Sequence, residues 1–212
     1  MACLIVLIES TLNRFQIILD LATLFFVYNT PMITRNLTIE QVRDVYDTHL
    51  VFDFPAEERK PLRMIEKAVG EGRYRCVGAF GEDEELLGYA FFVFEKDRCL
   101  LDYYAVVSEK RGMGIGTKFL KMAAADADAK MLLIEVEDPK VRDYEARQKR
   151  VDFYLNAGCT DTGVKAECFG VRFLILEYPG KHSGEEISEA YKEIYRSILP
   201  PDMYDDNIWV TM

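Results

Sequence analysis

The chain has 212 residues and a formal net charge of −10, and half of its residues are apolar. This length is typical of one domain with short additions, and it allows a core that needs no metal or disulfide staples. The acidic balance argues against a nucleic-acid partner, because such proteins present a basic face to the phosphate backbone. It fits a cationic substrate such as an amine, although acidity commonly serves only solubility.

The cysteines and histidines indicate neither a disulfide framework nor a metal site. There are five cysteines, an odd number without a Cys-x-x-Cys pair, and the only histidines are His49 and His182. No ligand set with the close spacing of a zinc site can be assembled from them. We therefore expect reduced cysteines, no metal, and a cytoplasmic protein.

Residues 1–31 are apolar but are interrupted by Glu9, Arg14 and Asp20. A membrane-spanning helix needs about 20 nearly uninterrupted apolar residues, and a signal peptide needs a basic start and a small-residue cleavage site. Neither pattern is clear here. We expect an N-terminal extension that arises from a mis-assigned start, with the domain opening at Met32. Membrane attachment through the extension is the alternative.

From residue 32 the sequence alternates between strand and helix signals. Residues 32–36 favour a short strand. Thr38 then opens a helix through Asp47, since Gln41 three residues later completes a capping box. A second helix runs from about residue 61 to a stop at Gly70. Three strand-like runs follow, residues 74–80, 85–94 and 99–107. Their polar separators have the length of turns, which predicts an antiparallel meander.

The second half predicts a helix over residues 112–127, a strand over 131–136 and a helix over 141–156 that ends at Gly158. Strands over 163–169 and 171–178 and a helix over 185–199 complete the chain. This order predicts an α/β (α+β) fold whose mixed, largely antiparallel sheet of about six to seven strands is flanked by helices. Only the unit from residue 99 to 136 should be a parallel, right-handed crossover. We expect the domain to span residues 32–180, with a C-terminal helix and tail over 181–212.

The most informative stretch is residues 101–117, where an apolar strand passes through a polar turn into three glycines at alternate positions and then a helix. Such a stretch exposes backbone N–H groups at a helix N-terminus, where they bind phosphate oxygens. Arg111 and Lys110 add positive charge. The dinucleotide fingerprint GxGxxG fails at Thr117, and the P-loop needs Gly-Lys where Thr117-Lys118 stands. A purely structural glycine turn is the remaining alternative.

The same stretch resembles the acetyl-CoA signature of the GNAT acetyltransferases, (R/Q)xxGx(G/A) after a strand ending in Ala-Val. Here it reads Arg111-Gly-Met-Gly-Ile-Gly116, with Ala105-Val106 upstream, and residues 153–158, FYLNAG, are similar to the family's FYxxxGF segment. The resemblance extends over residues 32–178. It implies the GNAT acyl-CoA N-acyltransferase fold and acetyl-CoA as the acyl donor. It also implies direct attack, in a ternary complex, by a primary amine of a small molecule, peptide or protein.

The resemblance further implies where the donor binds. In the family the signature strand splays away from the next strand, and the pantetheine arm of the donor lies in the gap. Backbone groups near Val106 and Val107 would hold this arm, and residues 111–117 would hold the pyrophosphate. The implied cofactor-binding residues are Val106, Val107, Arg111, Gly112, Met113, Gly114, Ile115, Gly116 and Thr117.

Tyr154 matches the family tyrosine that can protonate the leaving thiolate; otherwise it is a half-buried helix tyrosine with a tethered hydroxyl. The chain departs from the family pattern twice. Cys159 replaces an aromatic residue, which we attribute to packing. Arg147 stands where many relatives have Asn, which puts one contact with the donor arm in doubt.

The attacking amine must be neutral, so we expect a general base. Asp102 lies within the signature strand, while Glu135 and Glu137 share one face of the next strand by its period of two. A carboxylate in an apolar strand is costly to bury without a use or a partner, so these three are the candidates. Each could equally be a solvated strand end or an ion-pair partner.

The resemblance also places the acceptor site along the loop of residues 53–61. Its acidic residues could attract a cationic acceptor and Phe54 could form a wall, or the loop could be an ordinary solvated one. A non-catalytic acyl-CoA-binding module is the alternative function. The sequence leaves open the identity of the amine and the oligomeric state, a homodimer included.

Overall fold

The computed structural model describes residues 31–141 and 143–212, and an eight-stranded sheet organises them. The N-terminal extension before Pro31 lies outside the described residues. The sheet order is β1-β2-β3-β4-β5-β7-β6-β8, with β4 and β5 parallel and the other neighbours antiparallel. The strands are β1 (Ile33–Asn36), β2 (Tyr74–Phe80), β3 (Leu86–Glu95), β4 (Arg98–Val106), β5 (Met131–Glu137), β6 (Thr160–Cys168), β7 (Val171–Tyr178) and β8 (Ile208–Thr211).

Within the described residues, six helices cover the two faces of the sheet. Capping boxes begin the first and the fifth, because Thr38 and Ser183 each exchange hydrogen bonds with the residue three positions later. The first helix continues beyond Val45 as a π-helical segment, Tyr46–Leu50, and a last turn, Val51–Asp53. The helices are α1 (Ile39–Val45), α2 (Leu62–Gly70), α3 (Ile115–Ala127), α4 (Tyr144–Ala157), α5 (Gly184–Ile198) and α6 (Pro201–Asn207).

The predicted fold class is confirmed: the sheet is mixed and largely antiparallel, and the elements predicted from residue 32 onward are present. The β2–β3–β4 meander and the parallel β4–β5 pair occur as expected. Two elements were missed, α6 and β8, and β8 raises the strand count to eight. Pro201 in the first turn of α6 and the β-prone Ile-Trp-Val-Thr of β8 are the signals that could have revealed them.

Each face of the sheet carries its own apolar core. Buried residues of α1, α2, α5 and α6 pack on one face, for example Val42, Ile65 and Ile187. Buried residues of α3 and α4 pack on the other, for example Phe119 and Val151. We refer to these as the α1/α2/α5 face and the α3/α4 face. They separate the candidate groups described below.

The strands β4 and β5 pair over only four residues and then diverge. Their register runs from Arg98 opposite Met131 to Leu101 opposite Ile134. Beyond that point β5 continues along β7, where Glu137 lies opposite Phe173. β4 stays with β3, but Phe91 is opposite Tyr103 and Phe92 is opposite Leu101, which leaves Asp102 as the extra residue of a β-bulge. A gap therefore opens between β4 and β5, beginning at Asp102.

Candidate active site

The glycine-rich turn between β4 and α3 presents bare backbone. Gly112 and Gly114 have φ of +77° and +74°, the left-handed region that favours glycine. Gly114 is the N-cap of α3, which has no side-chain capping hydrogen bond. A Cβ added to Gly112 would meet nothing within 4 Å, so the space in front of this backbone is open. The turn thus fits a phosphate group, because helix N-terminal N–H groups attract anions.

Arg111 ties this turn to the end of the first helix. Its Nε donates to the carbonyl oxygen of Val106 at 2.9 Å, and its Nη2 lies 2.5 Å from Oδ1 of Asp53. The other oxygen of Asp53 accepts from the hydroxyl of Tyr89 at 2.8 Å. Asp53 therefore already has partners, although it belongs to the loop that we expected to attract a cationic acceptor. The Arg111 side chain is 53% exposed, so it can still reach a ligand.

The backbone that follows β4 is held by hydrogen bonds to other backbone groups of the protein. The N–H of Val107 donates to Leu87 at 3.0 Å, and its carbonyl oxygen accepts from Lys110 at 2.9 Å. These bonds fasten the signature turn to β3. A contact of Val106 or Val107 with the pantetheine arm stays a prediction.

Tyr154 lies on the α3/α4 face, inside a group of aromatic rings. Its ring centroid is 5.0 Å from that of Phe153 and 6.2 Å from that of Tyr104. Burial, assisted by the nearby Cys159, raises the pKa of Tyr154 well above its ordinary value. Its hydroxyl therefore keeps its proton at neutral pH. Cys159 is buried beside it, so this position still packs, although an aromatic residue is usual there.

Asp102 is the centre of a buried polar cluster on the α1/α2/α5 face. Lys60 Nζ lies 2.6 Å from Oδ1, and the hydroxyl of Tyr74 donates to Oδ2. The Asp102 side chain is 3% exposed, whereas the residue as a whole is only partly buried. Its exposed surface therefore belongs mainly to the backbone, which borders the gap between β4 and β5.

Lys60 is the cation of this cluster and comes from the loop between α1 and α2. Burial alone would lower its pKa, but Asp102, Tyr103 and Glu135 together raise it above the ordinary value. The ammonium therefore stays protonated. The backbone N–H of Lys60 donates to the Tyr103 hydroxyl at 2.7 Å, and Tyr46 donates to the Lys60 carbonyl oxygen at 3.0 Å. These bonds hold the loop against β4.

Glu135 on β5 joins the same cluster. Two hydroxyls of α5 donate to its Oε1, that of Tyr195 at 2.8 Å and that of Tyr191. Burial raises the pKa of Glu135, against the lowering effects of Lys60 and of the Tyr191 hydrogen bond. A carboxyl with such a pKa is a better proton acceptor near neutral pH than an ordinary glutamate.

Glu137 lies apart from this cluster. It pairs with Arg150 of α4, and Nε of the buried Arg147 is 3.9 Å away. Arg147 also donates to the carbonyl oxygen of Asp138 at 3.3 Å. The structure thus brings Asp102 and Glu135 together around Lys60, while Glu137 turns to the α4 arginines. The two glutamates keep the predicted period of two, since their partners on β7, Ile175 and Phe173, both belong to the α1/α2/α5 face; only their side-chain partners differ.

Sequence reasoning missed Lys60, Tyr74, Tyr191 and Tyr195. The pair on α5 carried a usable signal, because two tyrosines four residues apart on an apolar helix face must both find hydrogen-bond partners when buried. Lys60 carried none, since a lysine in a charged loop normally points to solvent.

The model of the Acetyltransferase (GNAT) family matches residues 40–148, which is 109 of the 212 residues. The chain belongs to the GNAT acetyltransferase family. The match includes the Gly112–Gly116 turn, β4, β5 and the first residues of α4. It ends before Tyr154 and before α5. No curated protein sequence matches the chain.

Solved structures show the same fold. A GNAT-family protein from Bacteroides thetaiotaomicron has a TM-score of 0.63 at 18% identity, covering 78% of this chain and 98% of that one. A spermidine N-acetyltransferase from Vibrio cholerae, in complex with CoA and spermine, has a TM-score of 0.54 at 12% identity, covering 69% and 94%. At such identities the likeness concerns the fold alone. In the described part of this chain, no helix has the length and apolar character needed to cross a bilayer.

Proposed function

We propose that this GNAT-family chain is an acetyl-CoA-dependent N-acetyltransferase that acts on a primary amine in a ternary complex. The divergence of β4 from β5 after Leu101 is the observation that supports this best. One end of the gap leads to the glycine turn, and its start carries the Asp102 and Glu135 cluster. A donor and an acceptor could therefore meet at the gap from the two faces of the sheet.

In this proposal the donor's pyrophosphate lies against residues 111–117 and its pantetheine arm lies near Val106 and Val107. Acetyl-CoA supplies the acetyl group as a thioester. The spermine-bound Vibrio cholerae structure gives support at the level of the fold, since that relative was solved with CoA and an amine together.

The proposed reaction needs two proton transfers, one on each face of the sheet. On the α1/α2/α5 face, Asp102 or Glu135 takes the proton of the amine as its nitrogen attacks the thioester carbonyl carbon. The C–N bond forms and the C–S bond breaks. On the α3/α4 face, Tyr154 gives its proton to the departing sulfur and later regains one from water. The raised pKa of Tyr154 means that the hydroxyl still carries its proton when the thiolate leaves, but it also makes this hydroxyl a weaker acid than an ordinary tyrosine.

Among the three carboxylates we propose Asp102 or Glu135 as the base and keep Glu137 as the third candidate. The first two lie together near Lys60 at the start of the gap, whereas Glu137 lies further along β5 and pairs with Arg150 of α4. We also propose a cytoplasmic location, supported by the four described cysteines, all of which are free. A homodimer stays an open prediction.

The test is thiol release from acetyl-CoA over a broad amine panel. On one accepted amine, pH–rate profiles of Asp102→Asn, Glu135→Gln and Glu137→Gln follow, with the exposed Glu145→Gln of α4 as the matched control. Loss of the base should lower the rate about 10²–10⁴-fold near neutral pH, with partial recovery at alkaline pH, where more amine is neutral. Binding of acetyl-CoA without transfer to any amine would favour the acyl-CoA-binding module instead.

A further inference from the structure

A cavity of about 360 Å³ lies between α2, the start of β2 and the junction of α5 with α6. Lys60 and Tyr74, the two partners of Asp102, form part of its wall. Apolar groups line it as well, among them Met64, Ile198 and Leu199. Its size is at the lower end of the range for small-molecule sites, about 300–1,000 Å³. The cavity thus adjoins the proposed base.

Elsewhere on the α1/α2/α5 face, neighbouring side chains cover the carboxylates of Asp102 and Glu135. Tyr191 and Tyr195 of α5 are 0% and 2% exposed where they cover Glu135. The Asp102 side chain is 3% exposed, whereas that of Lys60 is 22% exposed. A small molecule approaching the cluster from this face therefore meets Lys60 first, from the cavity.

The charges of the cavity favour an anionic group. The wall holds three cations, Lys60, Lys67 and Arg73, and one carboxylate, Glu71. Counting Asp102, which pairs with Lys60 from behind, still leaves one more cation than carboxylates. Glu71 is already paired with Arg73, and Lys67 Nζ lies 3.8 Å from it. The Lys67 side chain is 75% exposed at the rim, where it can meet an incoming anion. A polyamine would bring several positive charges to this rim and would be repelled.

We infer that the acceptor is a small amine that also carries a carboxylate, of the α-amino-acid type with an apolar side chain, and that it enters through this cavity. The inference rests on the proposed transferase function and names its substrate class. The Lys60 ammonium is part of the cavity wall, and the buried carboxylate of Asp102 lies behind it, with Oδ1 2.6 Å from Nζ. A zwitterion complements both, because its carboxylate faces Lys60 and Lys67 while its amine faces Asp102. The apolar wall receives the side chain.

The experiment compares kcat/KM at saturating acetyl-CoA for leucine, methionine and phenylalanine, each against its own amide, with spermidine as the polycation. For at least one pair the acid should exceed its amide at least tenfold, and spermidine should be the poorest substrate. Lys67→Glu should lower kcat/KM for that acid about three- to tenfold, an effect that added salt weakens, and should not lower it for the cationic amide. Lys149→Glu, the same charge change at an exposed lysine of α4, should alter neither.

Two results would overturn the inference while amine acetylation stands: preference for an amide or spermidine, or equal rates in Lys67→Glu and the unaltered chain. If no amine is acetylated, the proposed function fails. Calorimetry of the same acids with the CoA-loaded chain then tests separately whether the cavity binds them. Binding that Lys67→Glu weakens and Lys149→Glu does not would uphold the site. No binding of any acid would refute it.

Discussion

Removing the two hydroxyls of α5 that contact Glu135 should shift the pH dependence of the reaction. Both donate to the Glu135 carboxylate and so favour its ionised form. In Tyr191→Phe and Tyr195→Phe the rings stay in the core, and the hydroxyls are lost together with their hydrogen bonds to Glu135. The pKa of Glu135, already raised by burial, should rise further. Because a base must be ionised to act, the acid limb of the pH–rate profile should move to higher pH.

The size of the shift follows from the contacts. A hydrogen bond to a charged group contributes about 1.5–3 kcal/mol, and one pKa unit corresponds to about 1.4 kcal/mol. Glu135 is only partly buried, which favours the low end of that range. We therefore expect the limb to move up by about one pH unit in each single variant and by about two in the double variant, with the alkaline plateau nearly unchanged.

The assay is a pH–rate series of thiol release on one accepted amine, with Tyr204→Phe as the control. Tyr204 lies in α6, in the same C-terminal segment, and the ring of this residue packs under Arg196. If the double variant keeps the acid limb of the unaltered chain, Glu135 is not the base. Asp102 and Glu137 then remain, and the same series on Asp102→Asn and Glu137→Gln tests them.

The raised pKa of Glu135 should also make the stability of the folded chain depend on pH. In the folded chain this pKa is raised above its value in the unfolded chain, which is about 4.3. The stability that Glu135 contributes is therefore fully present below about pH 4.3 and is lost as the pH rises through the folded-state pKa. Loss of the hydroxyls widens this difference. The double variant should therefore lose more thermal stability at pH 8 than at pH 5, as scanning calorimetry would show. An equal loss at both values would contradict the raised pKa.

Gly114→Glu should weaken acetyl-CoA binding at least tenfold in calorimetry, because the backbone at φ +74° is strained by a side chain and the new carboxylate repels phosphate. Gly163→Glu, at φ +75° on β6, is the control and should not weaken binding; equal affinities of the two variants would refute the phosphate site. Tyr154→Phe should lower the transfer rate about 10²-fold with donor affinity intact, since only the hydroxyl is lost and a thiolate leaves fairly easily; an unchanged rate would remove its role as acid. A chain starting at Met32 should keep the thermal midpoint and donor affinity, because the described residues from Met32 onward already supply a continuous apolar core on each face of the sheet. Failure to fold would mean that residues 1–31 pack on these cores.

The element order and the family were readable from the sequence because their signals are local. The capping box at Thr38, the period-two runs of the meander and the glycines at alternate positions each act within a few residues. The glycine turn in particular depends on backbone conformation. Its three glycines therefore indicate the open backbone at the start of α3 without knowledge of the rest of the fold.

Only the tertiary structure decided which carboxylates meet. Asp102 is the extra residue of a β-bulge, which changes the residues that share its face, and nothing local in β4 signals the bulge. Its cation, Lys60, lies 42 residues away along the chain, and the hydroxyl of Tyr191 reaches Glu135 across 56. Such partners are chosen by the packing of α5 and of the α1–α2 loop against β4 and β5. Glu135 and Glu137 consequently differ in surroundings although they stand two residues apart on one strand.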